Sequence, residues 1–289
     1  MKPQFSLHRA STSVALLLIA IMMLGLAGCD TSSPAAQGQA AQLQPTIQPQ
    51  ANGSKEDVPD EVVHNADFGT WNYVALKNMN GAVIYNGGKK IGPGDIYAMI
   101  SYKVQTDDGV RSYMEANRKL IAQVAKQSGQ AEVYIYFSPY LPVDQFRSFA
   151  QAHGLSIAQS FVRATRSDPN TPYTTFETMG FGPHQPGELI AKGVDPIPQL
   201  ELEGRFSQLT HDFPGLELKG VFYTRAWVNT SELPAITANA QVYYLDVTAN
   251  VVRSDLAAAG IPNANNIDVE NNSLGAVYDL VEHPSKPRK

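Results

Sequence analysis

Three isolated histidines are the residues in the central part of the chain with the clearest capacity for acid–base chemistry or metal binding. His184 lies four residues before Glu188, and His211 is followed directly by Asp212, so either pair could place an imidazole beside a carboxylate. His153 stands alone after a segment with helical periodicity. The metal spacing H-E-x-x-H, paired cysteines and the nucleophile motifs G-x-S-x-G and S-x-x-K are absent from the sequence. We therefore predict no catalytic residue, no metal and no cofactor.

A second candidate site consists of aromatic and arginine residues on one face of a predicted sheet, since strand side chains alternate between faces. One face takes Val133, Ile135, Phe137, Val162, Phe222, Ala226, Leu245 and Val247. The other is predicted as a possible binding face and takes Tyr134, Tyr136, Phe161, Arg163, Tyr223, Arg225, Trp227 and Tyr244. If it is open, this aromatic face would suit a peptide, a glycan or a protein partner. Alternatively, the amino-terminal strands or a long connector cover it.

Two β-α-β units are predicted to position these residues. AEVYIYFS is a strand, Val143 to His153 a helix, and LSIAQSFVRA a second strand; the order recurs in LELKGVFYTRAWV, Ser231 to Ala238 and AQVYYLDV. Two such units predict an α+β fold, in which residues 130–260 form a ferredoxin-like antiparallel sheet with helices on one face. The connector between the units, residues 166–215, is rich in proline and glycine and is predicted to be an insertion or a functional lid.

The second unit closes with a strand that contains Gly220, a short helix and the strand VYYLDV. In this pattern the carboxy-terminal half resembles the inhibitor or propeptide modules associated with subtilisin-type proteases. The resemblance implies the ferredoxin-like fold, and we transfer no activity from it.

The flanking regions carry local signals of their own. Residues 68–129 alternate β-rich runs with Asn-Gly turns and then form a helix, TDDGVRSYMEANRKLIAQVAKQSG, with Thr106 and Asp107 as candidate caps. YNGGKKIGPG is predicted to be a hairpin and turn, and TANVVRSDLAAAG a further helix. Residues 261–289 are predicted to be a loosely ordered tail.

The amino terminus carries the most specific motif. Lys2 and Arg9 precede an apolar run from Val14 through Ala27, as in a secretory signal. The ending Leu26-Ala27-Gly28-Cys29 resembles the lipobox of bacterial lipoproteins. That resemblance implies that residues 1–28 are removed as a signal peptide and that Cys29, the only cysteine, is lipidated and acylated. It also implies a lipid-anchored protein on the extracytoplasmic side of a membrane. Asp30 resembles the signal that keeps lipoproteins in the inner membrane of Gram-negative cells.

Composition agrees with an anchored domain on a tether. Residues 29–67 are rich in Gln, Ala, Pro and Ser and are predicted to be a disordered tether. Removal of residues 1–28 would take the formal net charge from −5 to −7, which argues against nucleic acid as a partner.

From these observations we predict a lipid-anchored protein of the cell envelope that acts as a non-catalytic binding module, with a protein or peptide as its partner. Two alternatives stay open: an envelope hydrolase with a site in the 166–215 connector around His184 and His211, and a structural envelope component.

Overall fold

The structure is a computed structural model that describes residues 58–80, 83–86, 89–103, 106–167, 174–183 and 187–271. The predicted signal peptide, Cys29, His184 and the chain after Asn271 lie outside the described residues. Among the described residues, no helix is long and apolar enough to cross a membrane.

The described residues form a mixed α+β fold. Within them, the strands are β1 Glu61–Asp67, β2 Trp71–Lys77, β3 Ile84–Asn86, β4 Lys89–Ile91, β5 Ile96–Tyr102, β6 Gln130–Leu141, β7 Ser156–Ser167, β8 Thr174–Phe181, β9 Glu217–Asn229, β10 Val242–Asp246 and β11 Asp268–Asn271. The α-helices are α1 Asp107–Val124, α2 Val143–Ala152, α3 Gln199–Asp212, α4 Leu233–Ala238 and α5 Thr248–Ala258. Short 3₁₀ turns cover Thr230–Glu232 and Ala264–Asn266.

The predicted ferredoxin-like plan is confirmed in the larger sheet, which has the strand order β10-β6-β9-β7-β8 with antiparallel neighbours throughout. Helix α2 connects β6 to β7, and α4 connects β9 to β10, so each unit returns over one face of the sheet. β8 is an additional strand at one edge.

The 166–215 connector is more regular than predicted. Residues of β7 continue to Ser167 and pair with β8, and α3 follows before β9 begins. Among its described residues, Arg166, Ser167, β8 and α3 are regular structure, so the predicted insertion or lid is not one long loop. Pairing with β7 satisfies the backbone hydrogen bonds of β8 at the edge of the sheet.

A smaller sheet has the order β1-β2-β5-β11, and β11 runs parallel to β5. Two predicted boundaries change because of this sheet. The tether was expected to extend to residue 67, but Glu61–Asp67 is β1, which pairs with β2. The tail was expected from residue 261, but Asp268–Asn271 is β11, and its Val269 is buried. The predicted hairpin at YNGGKK is confirmed, since β3 and β4 pair antiparallel.

Helix α1 forms where its sequence signals place it. Thr106 is the N-cap, and its side chain accepts a hydrogen bond from the Gly109 amide at 3.1 Å. The buried side of the helix carries Val110, Tyr113, Met114, Asn117, Ile121 and Val124, which follow the spacing of one helix face.

Two apolar clusters lie on opposite faces of the larger sheet. On one face Val133, Ile135 and Phe137 of β6 join Phe146 and Phe149 of α2, as well as residues of α4. On the other face the tyrosines of the larger sheet join residues of the smaller sheet and of helices α1 and α5. The larger sheet is therefore the middle layer of the fold.

Phe222 lies on the opposite face from the one we predicted. Phe161 pairs with Tyr223, and the next pair is Val162 with Val221, so Phe222 is the extra residue of a β-bulge. The bulge breaks the alternation of side chains, and Phe222 and Tyr223 both join the cluster on the aromatic face.

Candidate functional site

The tyrosines of the predicted binding face are buried, so the prediction of an open platform is wrong for them. Tyr134, Tyr136, Tyr223 and Tyr244 are each at most 3% exposed. The smaller sheet contributes Trp71 and Tyr73 to the same cluster. The amino-terminal strands cover this face, as the alternative prediction stated. The physical reason is the area of the rings, because burying them removes a large apolar surface from water.

Phe161, Arg163 and Trp227 of that face are partly accessible. Arg163 is half-buried, with its guanidinium carbon 4.3 Å from the ring centroid of Phe222 and 5.0 Å from that of Phe176. Its Nη1 donates to Thr178 Oγ1 at 2.5 Å. Phe161 is half-buried and stacks on Tyr223, with 5.1 Å between ring centroids. These contacts hold the arginine in place between two rings and identify it as part of the packing of the larger sheet.

Arg225 belongs to a buried ion-pair network, so its predicted role in a binding face is also wrong. Its Nε donates to Glu132 Oε1, and its Nη2 lies 3.3 Å from Asp268 Oδ1. Arg253 Nη2 donates to the other oxygen of Glu132, and its guanidinium lies over the half-buried Trp227 ring at 5.0 Å. Trp227 therefore supports this network, which joins β6, β9, α5 and β11.

The protonation state of Glu132 follows from its partners. Its side chain is fully buried, and desolvation by burial acts to raise the pKa of the carboxyl group. The charges and hydrogen bonds of Arg225 and Arg253 outweigh that effect and hold the pKa of Glu132 below its usual value. The carboxylate is therefore ionised near neutral pH, and the network is a stable arrangement of opposite charges.

A second buried polar network joins α1 to the end of β10 and the start of α5. Tyr113 donates its hydroxyl hydrogen to Asp246, and its oxygen lies 2.8 Å from Thr248 Oγ1. Asn117 Nδ2 donates to the Leu245 carbonyl at 2.5 Å. Burial is the largest cause, and Asp246 the next, of a pKa for Tyr113 well above the usual value for tyrosine. The phenol stays protonated and acts as a permanent donor.

A third cluster ties the edge strand β1 to α5. Asp255 Oδ2 accepts a hydrogen bond from the Tyr73 hydroxyl at 2.6 Å and lies 3.2 Å from His64 Nε2. Burial and the Asp255 carboxylate raise the pKa of Tyr73, so this tyrosine is a donor too. Glu132 and Asp255 were missed from the sequence because their partners are more than 90 residues away along the chain.

The described residues include two of the three predicted histidines, and each of these two lies beside a carboxylate. His153 ends α2, with its Nδ1 3.5 Å from Glu232 Oε2. His211 is 83% exposed and contacts only the carboxylate of the adjacent Asp212, at 3.0 Å, among the hydrogen bonds of the described residues. His184 lies outside the described residues, and Glu188 is exposed. No group of three or more His, Cys, Asp and Glu side chains in the described ranges is arranged to hold a metal ion.

The described residues also form a groove of mixed polar and apolar lining between α2 and the part of the connector that precedes α3. We call it the α2 groove; it has a volume of about 260 Å³. Its apolar lining comes from Ala150, Leu155, Ile157, Ile190, Val194 and Pro196. Arg147 and Asp195 also line it, and the Arg147 Nε donates to Asp195 Oδ1 at 3.0 Å.

The connector wall of the α2 groove is fixed by hydrogen bonds at both ends. Ile157 and Ile190 exchange two backbone hydrogen bonds of 3.0 and 2.8 Å. At the other end, the Ile197 amide donates to Asp195 Oδ1 at 3.0 Å, and Arg147 Nη2 donates to the Ile197 carbonyl. The groove is therefore preformed, which lowers the entropy cost of binding.

No family model matches the chain, and no curated protein or solved structure matches it either.

Proposed function

We propose that this protein is a lipid-anchored, extracytoplasmic binding module that holds a partner protein near a membrane and catalyses no reaction. The sequence Leu26-Ala27-Gly28-Cys29 supports the anchor, because it has the form of a lipobox with the lipidated cysteine in last place. Two or more acyl chains give stable attachment to a bilayer, whereas a single chain gives only reversible binding.

The preformed α2 groove is the observation that carries the binding part of the proposal. A preformed depression that presents both apolar and polar groups has the form of a recognition site. The buried carboxylates of Glu132 and Asp246 have structural partners, as described above, and contribute to holding the layers together. Because these carboxylates already have partners inside the domain, we assign the external partner to the α2 groove and its rim.

The anchor is tested by replacing its attachment point. We expect Cys29→Ala to abolish incorporation of a clickable fatty acid and to prevent cleavage before residue 29. Ser32→Ala is the matched control, because it changes a nearby small residue and leaves the lipobox intact. Equal labelling of Cys29→Ala and Ser32→Ala would show that the protein is not lipidated at this position.

Partner binding is tested on the anchored full-length chain in membranes of the source cells. Crosslinking through exposed lysines, followed by quantitative mass spectrometry, should recover one protein in near-equimolar amount with the bait. The control bait is an unrelated lipoprotein at the same abundance. Recovery of the same proteins at the same level with both baits would contradict a binding role.

A further inference from the structure

We infer that residues 273–283, called the strap below, pack on the aromatic face of the larger sheet and complete its cover. The inference goes beyond the proposed function, because it names the chain's own carboxy-terminal segment as the occupant of this face. Residues 272–289 lie outside the described residues. Support therefore comes from their sequence, from the point where the described chain ends and from the rings that lie beyond that point.

The sequence of the strap has the spacing of an amphipathic helix. Four apolar residues stand at positions i, i+3, i+4 and i+7, namely Leu274, Val277, Tyr278 and Val281. Asp279 falls on the opposite side of such a helix. Ser273 is a good residue to begin it, and Pro284 directly after the strap would end it. The pattern predicts one apolar stripe, which needs a surface to pack on.

The strap begins beside the cluster on the aromatic face. Asn271, the last residue of β11, accepts a hydrogen bond from the Tyr102 hydroxyl, with 2.5 Å between the oxygens. The Tyr102 ring meets that of Tyr113 edge-on, with 4.5 Å between ring centroids. Two residues of extended chain reach at most about 7 Å. The first residues of the strap are therefore held close to these rings, which lowers the entropy cost of docking.

A continuous series of ring contacts leads from Tyr113 across the larger sheet. It runs through Tyr244, Tyr136 and Tyr223 to Phe161, and successive ring centroids lie 5.1 to 6.1 Å apart. These four residues belong to β10, β6, β9 and β7, which are neighbours in that order. Three strand spacings of about 4.8 Å make roughly 14 Å, and a helix with the length of the strap spans about 16 Å. The strap is long enough to cross these strands.

Three half-buried aromatic side chains leave apolar surface for the strap to cover. Tyr102, Tyr140 and Phe161 each pack against the cluster on the aromatic face without being fully buried. Tyr102 and Phe161 stand at the two ends of the ring series, so the apolar stripe would bury more of both rings. Because the strap is part of the same chain, its effective concentration exceeds that of a free peptide that makes the same contacts. This favours the chain's own segment over an external partner on this face.

The packing is tested first by unfolding the full-length chain in detergent. Both tryptophans, Trp71 and Trp227, lie in the described domain, so their fluorescence follows its unfolding in urea. We expect Leu274→Ser to lower the urea midpoint by about 1 M, because the apolar stripe loses a large side chain. The matched control is Leu280→Ser, which makes the same change outside the stripe and should leave the midpoint unchanged.

Photo-crosslinking locates the strap without removing an apolar side chain. Tyr278→p-benzoylphenylalanine keeps an aromatic ring on the stripe and, on irradiation, forms a bond to nearby carbon atoms. We expect crosslinks to peptides of the same chain that contain Tyr102, Tyr140 or Phe161, read by mass spectrometry of the digested monomer. Leu280→p-benzoylphenylalanine is the control and should give far fewer of these crosslinks.

Equal urea midpoints for Leu274→Ser and Leu280→Ser would overturn the inference. So would crosslinks from position 278 that join two copies of the chain, reach another protein or fail to form at all. Recovery of a stoichiometric partner by crosslinking in membranes would be unaffected by these results, so the strap and the proposed function fail separately.

Discussion

Replacing Glu132 with glutamine is the sharpest test of how the layers are held together. Glu132 is fully buried, and each of its oxygens accepts a hydrogen bond from a different arginine. Neutralising it leaves two guanidinium groups, of Arg225 and Arg253, largely buried without their main counter-ion. Removing one partner of a buried ion pair lowers the free energy of unfolding by about 3–5 kcal/mol. At about 2–4 °C per kcal/mol for a domain of 150–250 residues, this loss lowers the melting temperature by roughly 6–20 °C.

The same variant has a defined pH dependence. Because the folded pKa of Glu132 is lowered, its contribution to stability is fully present above its ordinary value of 4.5 and is lost as the pH falls through the folded pKa. The difference in unfolding free energy between the wild type and Glu132→Gln should therefore be largest near neutral pH and shrink below pH 4.5. Other carboxylates titrate in both proteins and cancel in this difference.

Urea unfolding at several pH values measures both effects, and Glu217→Gln is the control. Glu217 accepts a hydrogen bond from Lys219 on the surface, with 74% of its side chain exposed, so its replacement should cause no resolvable change in stability. A Glu132→Gln protein as stable as the wild type at pH 7, or a difference that grows as the pH falls, would refute the reasoning.

Two further substitutions test the covered face and the backbone of β9. Tyr223→Ala should cost about 3–5 kcal/mol in urea unfolding, because it removes a buried ring from the core. A variant as stable as the wild type would instead indicate an open face. Gly220→Ala should destabilise the fold by about 1–3 kcal/mol, because Gly220 has a φ of +130° and an added Cβ would collide with the Leu141 carbonyl oxygen. The control is Gly204→Ala, on an open helix surface, which should be neutral or stabilising. Equal effects on stability at both positions would contradict the steric explanation.

Local periodicity was sufficient to predict much of the fold. Helix α1 follows from the Thr106 cap and the spacing of its apolar residues, and the β-α-β order follows from alternating runs bounded by Gly129 and Gly154. These features are encoded within short windows of sequence, where backbone propensity and side-chain alternation act together.

The features that could not be predicted depend on contacts between distant parts of the chain. β11 follows a weakly patterned segment and forms a strand because β5, about 170 residues earlier, supplies its partner edge. The face of Phe222 depends on a bulge in the pairing with β7, which leaves no mark in the alternation of the sequence itself.

The aromatic face shows why side-chain type alone was not enough to locate a binding site. Its tyrosines have the composition of an interface, but the smaller sheet covers them. The charges of Glu132 in β6 and Arg225 in β9, each among apolar neighbours, were the signals of a covered, satisfied network on this face, since a lone buried charge would be too costly. The α2 groove combines residues of α2, β7 and the connector and had no signature in the sequence.

The attachment of the chain to a membrane is the central claim, and mass spectrometry of the mature amino terminus tests it most directly. The full-length protein is purified from membranes of its source cells and digested, and its first peptide is sequenced. We predict a peptide that begins at Cys29 and carries the added mass of a diacylglyceryl group and, where the cell performs that step, a further acyl chain. An unmodified Cys29 within a longer peptide, or a mature terminus beyond residue 29, would contradict the anchor.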